Sequence, residues 1–293
     1  MPSNSLTNDS EASDPSGKLF VVGTPIGNME DITLRALAVL KEVDLVAAED
    51  TRVTQRLLSH HRLKVPLISY HEHNESRRAA ELVERLLDGK RIALVSDAGM
   101  PGISDPGYRL VTAALNRGIS VVPVPGVSAI TAAISVSGLP TDAFVFVGFP
   151  AKKKSRRGKQ LEALSREPRT ILFYESPRRV KTLLEEIFKI MGDRPIVLAR
   201  EMTKPYEEFI RGTVSEILSV ITQRDQVKGE CTVLVSGSGT EGELDLDAVQ
   251  DEIRDLLKSS GEGLGRISRL IADKYAVSRQ LIYTEGLKII ERP

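Results

Sequence analysis

Four polar clusters in this chain have the residue types and spacing to do chemistry. Glu49-Asp50-Thr51-Arg52 sets two carboxylates and a guanidinium within four positions, a combination that can take a proton from a weak acid and hold an anion beside it. His71-Glu72-His73-Asn74 offers two imidazoles and an amide, groups able to hydrogen-bond a base or a sugar-phosphate chain. Ser96 to Gly107 carries three glycines and two prolines and no Lys or Arg. Such a loop brings main-chain groups close to a ligand, and the missing cations argue against a polyphosphate. Lys152 to Lys159 packs six cations and no acid into eight positions, as a phosphate-binding patch does. Each cluster has an ordinary alternative. Glu49, Asp50 and Arg52 fit a solvated helix cap with an ion pair, the two histidines fit polar surface, the glycine-rich loop fits a plain βα connection, and a charge run fits a solvated face.

The elements that must position these residues follow from periodicity. Leu19-Phe20-Val21-Val22 reads as a strand ended by Gly23-Thr24-Pro25-Ile26-Gly27-Asn28. Pro25 stands where a dinucleotide fingerprint needs its second glycine, and no Walker motif occurs, so neither NAD nor a nucleoside triphosphate has support. A helix with Leu34, Leu37 and Leu40 leads to a strand ending at Ala48, and Leu67 to Tyr70 is a further strand. Ile92 to Val95 is a buried strand that feeds the glycine-rich loop. Tyr108 to Arg117 reads as a helix, Ile119 to Val124 as a strand, and Ala143 to Val147 as another, broken by Gly148-Phe149-Pro150. In open α/β sheets ligands sit beyond strand C-termini, where the first three clusters fall.

The expected organisation is a disordered leader (1–17), an N-terminal α/β domain (18–148), a second α/β domain (149–237), a linker (238–245) and a helical, helix-turn-helix-like tail (246–293). Strands are expected at Thr170–Tyr174, Ile196–Ala199, Glu208–Arg211 and Cys231–Val235, with helices near Val180–Ile190 and Val214–Ile221. A 293-residue chain that is 41% hydrophobic can bury more than one core. Lys plus Arg and Asp plus Glu both number 40, so any nucleic-acid surface must be local. A single cysteine and four histidines without metal spacing imply neither a disulfide framework nor a metal, and fit a reducing cytoplasm. No apolar run reaches membrane length.

Taken in order, the motifs at 21–33, 48–52, 69–74, 96–107 and 125–129, with Phe173-Tyr174-Glu175-Ser176-Pro177-Arg178-Arg179, Ala199 to Lys204 and Lys228-Gly229-Glu230, resemble the tetrapyrrole methylase superfamily. Within it the chain is similar to the ribosomal RNA small subunit methyltransferase I family, departing at Ala276, where Gly is commoner. The resemblance implies two α/β domains of the tetrapyrrole methylase type with a cofactor cleft between them. It also implies S-adenosylmethionine-dependent methylation of the ribose 2′-hydroxyl of a cytidine in the 16S rRNA decoding centre, by a cytoplasmic homodimer. Pro25, Ile26, Asp97, Gly99, Gly102, Ile103, Ser104, Ser128, Ala129, Phe173, Tyr174, Gly229 and Glu230 would line the cofactor pocket. A sulfonium cofactor without phosphates agrees with the cation-free loop.

Glu49 and Asp50 are then candidates for the base, with Glu201 a rival and Arg52 an anchor for a flanking phosphate. RNA would be gripped by His71, His73, Asn74, Lys152, Lys153, Lys154, Arg156, Arg157, Lys159, Arg178, Arg179 and Arg279. Two alternatives remain: a porphyrinoid methyltransferase, against which the basic run and tail speak, and a non-catalytic ribosome assembly factor in which Glu49 and Asp50 are dispensable.

Overall fold

The computed structural model describes residues 17–239, 246–275, 277 and 279–291. The expected leader before Gly17, most of the expected linker, and the turn positions Ala276 and Ser278 lie outside the described residues. Two compact units divide between Ser128 and Ala129.

The first unit alternates β1 (Lys18–Val22), α1 (Leu34–Glu42), β2 (Leu45–Ala48), α2 (Thr51–His60), β3 (Leu67–Ser69), α3 (Glu75–Leu87), β4 (Arg91–Val95), α4 (Tyr108–Asn116) and β5 (Ser120–Val124). Its strands form one sheet in the order β3-β2-β4-β1-β5, and every pair is parallel. The connections after β1 and β2 step one way along the sheet, and those after β3 and β4 step the other. Right-handed crossovers therefore send α1 and α2 to one face and α3 and α4 to the opposite face.

The two cores follow this division. Phe20, Val22, Val46, Ala48, Ala93 and Val95 pack with α1 and α2, while Leu19, Leu45, Ala47, Ile92 and Leu94 pack with α3 and α4. Buried on both faces, these strands read as continuous apolar runs. The reversal lies between neighbouring β1 and β4, so a crevice opens at their C-terminal ends.

The second unit contains α5 (Ala129–Ser135), β6 (Phe144–Gly148), α6 (Lys154–Leu164), β7 (Thr170–Glu175), α7 (Val180–Met191), β8 (Pro195–Arg200), β9 (Glu208–Thr213), α8 (Val214–Thr222) and β10 (Cys231–Val235). The sheet order is β6-β7-β10-β8-β9, with only β6 and β7 parallel. Two features of this unit add to the sequence reading. The division falls ahead of Gly148, because β6 takes its hydrogen bonds from β7 and α5 packs on β10. The basic run, expected as a charged segment after a domain break, winds into α6, whose only fully buried apolar side chain is Leu161. One apolar anchor leaves almost no period to read.

The tail comprises α9 (Leu246–Ser259), α10 (Leu264–Tyr275) and α11 (Arg279–Glu291). Val249, Ile253, Ile267, Ile271, Ala272 and Ile282 give it a small core of its own. No described helix is long and apolar enough to cross a membrane.

Candidate active site

The C-terminal edge of the first sheet is closed around the β1 and β4 loops. Main-chain N–H groups of Thr24 and Gly99 each donate to the other's carbonyl, at 2.9 and 3.0 Å, and the Thr24 hydroxyl donates to Ser96 O at 3.0 Å. A Cβ on Gly23 would stand 2.7 Å from both Gly126 Cα and Met100 Sδ, so the β1 and β5 loops meet main chain to main chain. Between Gly99 and Gly107 the backbone doubles back twice, with Gly99, Gly102 and the non-glycine Ser104 all left-handed at φ 78°, 82° and 65°. Ile26 is buried beside Gly99, and Ile103 stands exposed. Thr24, Gly23 and Gly126, absent from the sequence-derived site, hold this edge together. A hydroxyl between a strand end and a proline was the readable signal for Thr24.

Three carboxylates converge on the same edge. Glu49 Oε2 accepts the Asp97 N–H at 3.2 Å, and Asp97 Oδ1 accepts the Asp50 N–H at 2.9 Å. This exchange ties β2 to the β4 loop. Asp50 caps α2 through the Arg52 N–H at 2.8 Å, and its carboxylate holds the Arg52 guanidinium at 2.6 and 3.0 Å. Arg52 thus keeps Asp50 well below the usual carboxylate range, while its own side chain remains 84% exposed. Glu49 is half-buried, and burial pushes its carboxyl up against the opposing pull of the Asp97 N–H. Desolvation also raises Asp97. Of these two candidate bases, Asp50 is paired with an arginine, whereas among the described residues Glu49 forms no ion pair with a Lys or Arg.

Glu201 is occupied in the second unit. Its carboxylate pairs with Lys204 Nζ at 2.9 Å and accepts the Glu230 N–H at 3.0 Å, and the Lys204 contact lowers its pKa. A Cβ at Gly229 would fall 2.3 Å from Glu201 Cδ, so the glycine makes room for this carboxylate. Glu201 and Thr203 are left-handed at φ 51° and 66°, strain that the cluster holds in place. Period-two alternation separates Phe173 from Tyr174. Phe173 is wholly buried in the α7–α8 side core, so its side chain is withdrawn from any ligand, whereas Tyr174 packs against Phe146 and Phe149 on the other face. Ser128 and Ala129 stand partly exposed at the start of α5.

The expected RNA contacts divide into exposed and consumed groups. His73, Lys152, Lys153, Lys154, Arg156, Lys159, Arg178 and Arg279 are exposed. Arg157 is not: its side chain is 8% exposed and forms a two-point pair with Glu186 of α7 at 2.6 and 2.8 Å. It also donates to the carbonyls of Ala151 and Lys152, so it anchors the basic segment rather than contacting a partner. Arg179 pairs at 2.6 Å with Glu175, whose side chain is 1% exposed. Asn74 is consumed by its own turn, accepting the His71 N–H at 2.9 Å and donating to Ser69 O at 3.2 Å.

Two α/β units of this order define a class. The family model for Tetrapyrrole (Corrin/Porphyrin) Methylases matches residues 18–218, and the fold is shared with the methyltransferase CobJ (TM-score 0.59, 22% identity, 78% of this chain and 97% of that one). It is shared too with uroporphyrin-III C-methyltransferase from Thermus thermophilus complexed with S-adenosyl homocysteine (TM-score 0.54, 20% identity, 76% and 98% covered). Proteins named Ribosomal RNA small subunit methyltransferase I align more closely. That of Thermotoga maritima is 52% identical over 221 residues, 75% of this chain and 99% of its own length. The Pseudomonas aeruginosa protein is 45% identical over 276 residues, 93% and 97%. The chain belongs to the ribosomal RNA small subunit methyltransferase I family and is an S-adenosylmethionine-dependent methyltransferase.

The first unit's donor set suits that cofactor. Residues 97–107 hold no cation to repel a sulfonium, the turns at Gly99 and Gly102 present main chain, and Asp97 supplies a carboxylate of the kind that binds ribose hydroxyls or an ammonium group.

Proposed function

We propose that this enzyme methylates the ribose 2′-hydroxyl of a cytidine in the decoding centre of 16S rRNA, in the cytoplasm and as a homodimer. The observation that carries the reading is Glu49: a half-buried carboxyl, raised by burial and oriented by the Asp97 N–H, beside a cation-free glycine loop. Bound S-adenosylmethionine supplies an electrophilic methyl on a sulfonium. A ribose hydroxyl is a poor nucleophile until its proton is removed, and a desolvated carboxylate does this better than one paired with arginine. Glu49 takes that proton onto its carboxylate. Pro25, Ile26, Asp97, Gly99, Gly102, Ile103, Ser104 and Ser128 are the first unit's cofactor contacts in this reading; the second unit's candidates are Ala129, the Tyr174 ring, the Phe173 main chain, Gly229 and Glu230.

The substrate's phosphates are drawn to Lys152, Lys153, Lys154, Arg156 and Lys159. Helix α6 starts here without a side-chain cap, so its first N–H groups and positive dipole end also favour an anion. Arg52, His73, Arg178 and Arg279 add exposed contacts, and the target nucleotide leaves its stack to reach Glu49.

The test is transfer of labelled methyl from S-adenosylmethionine to purified 30S subunits, free 16S rRNA and a porphyrinoid, followed by mapping of the modified atom. A 2′-O-methylcytidine in 16S rRNA is expected. Label on the porphyrinoid alone, or none, removes the proposal; sedimentation velocity decides the homodimer.

A further inference from the structure

The second unit, residues 129–293, holds a cavity of about 740 Å³. One wall is the loop after α5, with Pro140 and Asp142, and the other is the start of α11, with Arg279, Gln280 and Tyr283. The loop wall is held in place by the protein itself. Ser137 is buried, its hydroxyl donating to Ile134 O at 2.9 Å and accepting the Leu139 N–H at 3.0 Å. Thr170 Oγ1 donates to Pro140 O at 2.7 Å, and Arg211 donates to Val136 O at 2.7 Å. The helix wall shows polar and aromatic groups to solvent: Arg279 and Gln280 are exposed, and Tyr283 is 41% exposed while its neighbour Ile282 is buried. Among the described residues no hydrogen bond or ion pair engages the side chains of Asp142, Arg279 or Gln280.

These groups fit one class of ligand. An aromatic ring stacks on a base of any sequence, a guanidinium pairs with a phosphate, and a carboxylate with an amide meets the donors and acceptors of a base edge. Cavities of roughly 300–1,000 Å³ take drug-sized ligands, a size that suits a nucleotide and not a double helix. In a helix-turn-helix the start of the second helix enters a duplex groove. Here the same residues face a fixed loop, which favours an unstacked base instead. Resting on the rRNA reading above, we propose that this cavity is a second RNA subsite. It takes one unpaired nucleotide of the substrate, distinct from the target, with its base stacked on Tyr283, its phosphate on Arg279 and its base edge read by Asp142 and Gln280.

The chain contains no tryptophan, so Tyr283→Trp gives the full-length protein a single indole reporter. A single-stranded RNA octamer should quench its fluorescence saturably, and the same strand in a duplex should need at least about tenfold more RNA. With 30S subunits as methyl acceptor, Tyr283→Leu should raise KM about tenfold with kcat kept, as loss of a contact made equally in ground and transition states does. Tyr283→Phe, which keeps the ring, should restore KM to within about threefold of wild type, and both variants should bind S-adenosylmethionine with wild-type Kd by titration calorimetry. No quenching by the octamer, or equal quenching by the duplex, overturns the proposal. So does quenching by cytidine 5′-monophosphate but not the octamer, the mark of a free nucleotide, or by whole subunits but not RNA, the mark of a protein partner. Methylated subunits with an unchanged KM in Tyr283→Leu would remove this subsite and leave the rRNA reading in place. Octamer quenching in an enzyme that labels only a porphyrinoid would keep the RNA subsite and remove the rRNA methylation reading.

Discussion

Glu49 and Asp50 are neighbours in sequence with opposite electrostatic fates. Asp50 heads a helix and meets the guanidinium two residues on, so its charge is neutralised and its lone pairs are engaged. Glu49 faces the β4 loop, loses water and accepts a main-chain N–H where Asp50 meets a guanidinium. Glu49→Gln should therefore lower kcat by about 10²–10⁴-fold, the usual contribution of a general base, with the Kd for S-adenosylmethionine unchanged. Asp50→Asn, which keeps a capping oxygen, should retain most turnover; equal losses in stopped assays of both variants would remove the distinction. The sign of the pH dependence follows. A base acts when deprotonated, so activity falls as pH drops through the Glu49 pKa, and because burial raises that pKa the inflection should lie above the ordinary glutamate value. An inflection below it in kcat/KM against pH would point to a cation-paired carboxylate instead.

At the scale of elements, α6 shows how one residue separates binding from folding. Lys152, Lys153, Lys154, Arg156 and Lys159 are exposed, but Arg157 crosses to α7 and fastens the segment through Glu186 and two carbonyls. Arg157→Ala would leave the Glu186 carboxylate buried and unpaired, and chemical denaturation should show a loss of about 3–5 kcal/mol. Lys152→Ala with Lys153→Ala should leave the denaturation midpoint in place. Their effect belongs to the substrate: weaker binding to 30S subunits and a salt dependence shallower by about two in the log–log slope. If the lysine pair shifted the midpoint and Arg157→Ala did not, the roles assigned along α6 would be reversed.

At the scale of the whole molecule, the tail carries a core separate from those of both sheets. Removal of residues 240–293 should leave the Kd for S-adenosylmethionine unchanged, because neither sheet loses a core residue. The KM for subunits should rise, most at high salt, since Arg279 and the other exposed tail cations would be gone. An unchanged KM across a salt series would deny the tail any substrate role.

Much of this was legible from the chain alone, for physical reasons. Alternation of short apolar runs with 3.6-residue periods specified the first unit's five strands and the helices α1 and α4. A polar cluster after a strand marks the ligand edge of a parallel sheet in any such fold, so the position of Glu49, His71 and Asp97 at that edge was legible without coordinates. What the tertiary structure alone decided were the partners. Whether a carboxylate is a base or a cap depends on the group it meets across a sheet, and Asp97 reaches Asp50 and Glu49 over nearly fifty residues. The burial of Arg157 depends on a glutamate twenty-nine positions away. The place of β6 depends on which sheet offers it hydrogen bonds. Local pattern is set by neighbours along the chain and is written in sequence. Pairing between distant polar groups is set by packing, which a single sequence does not record.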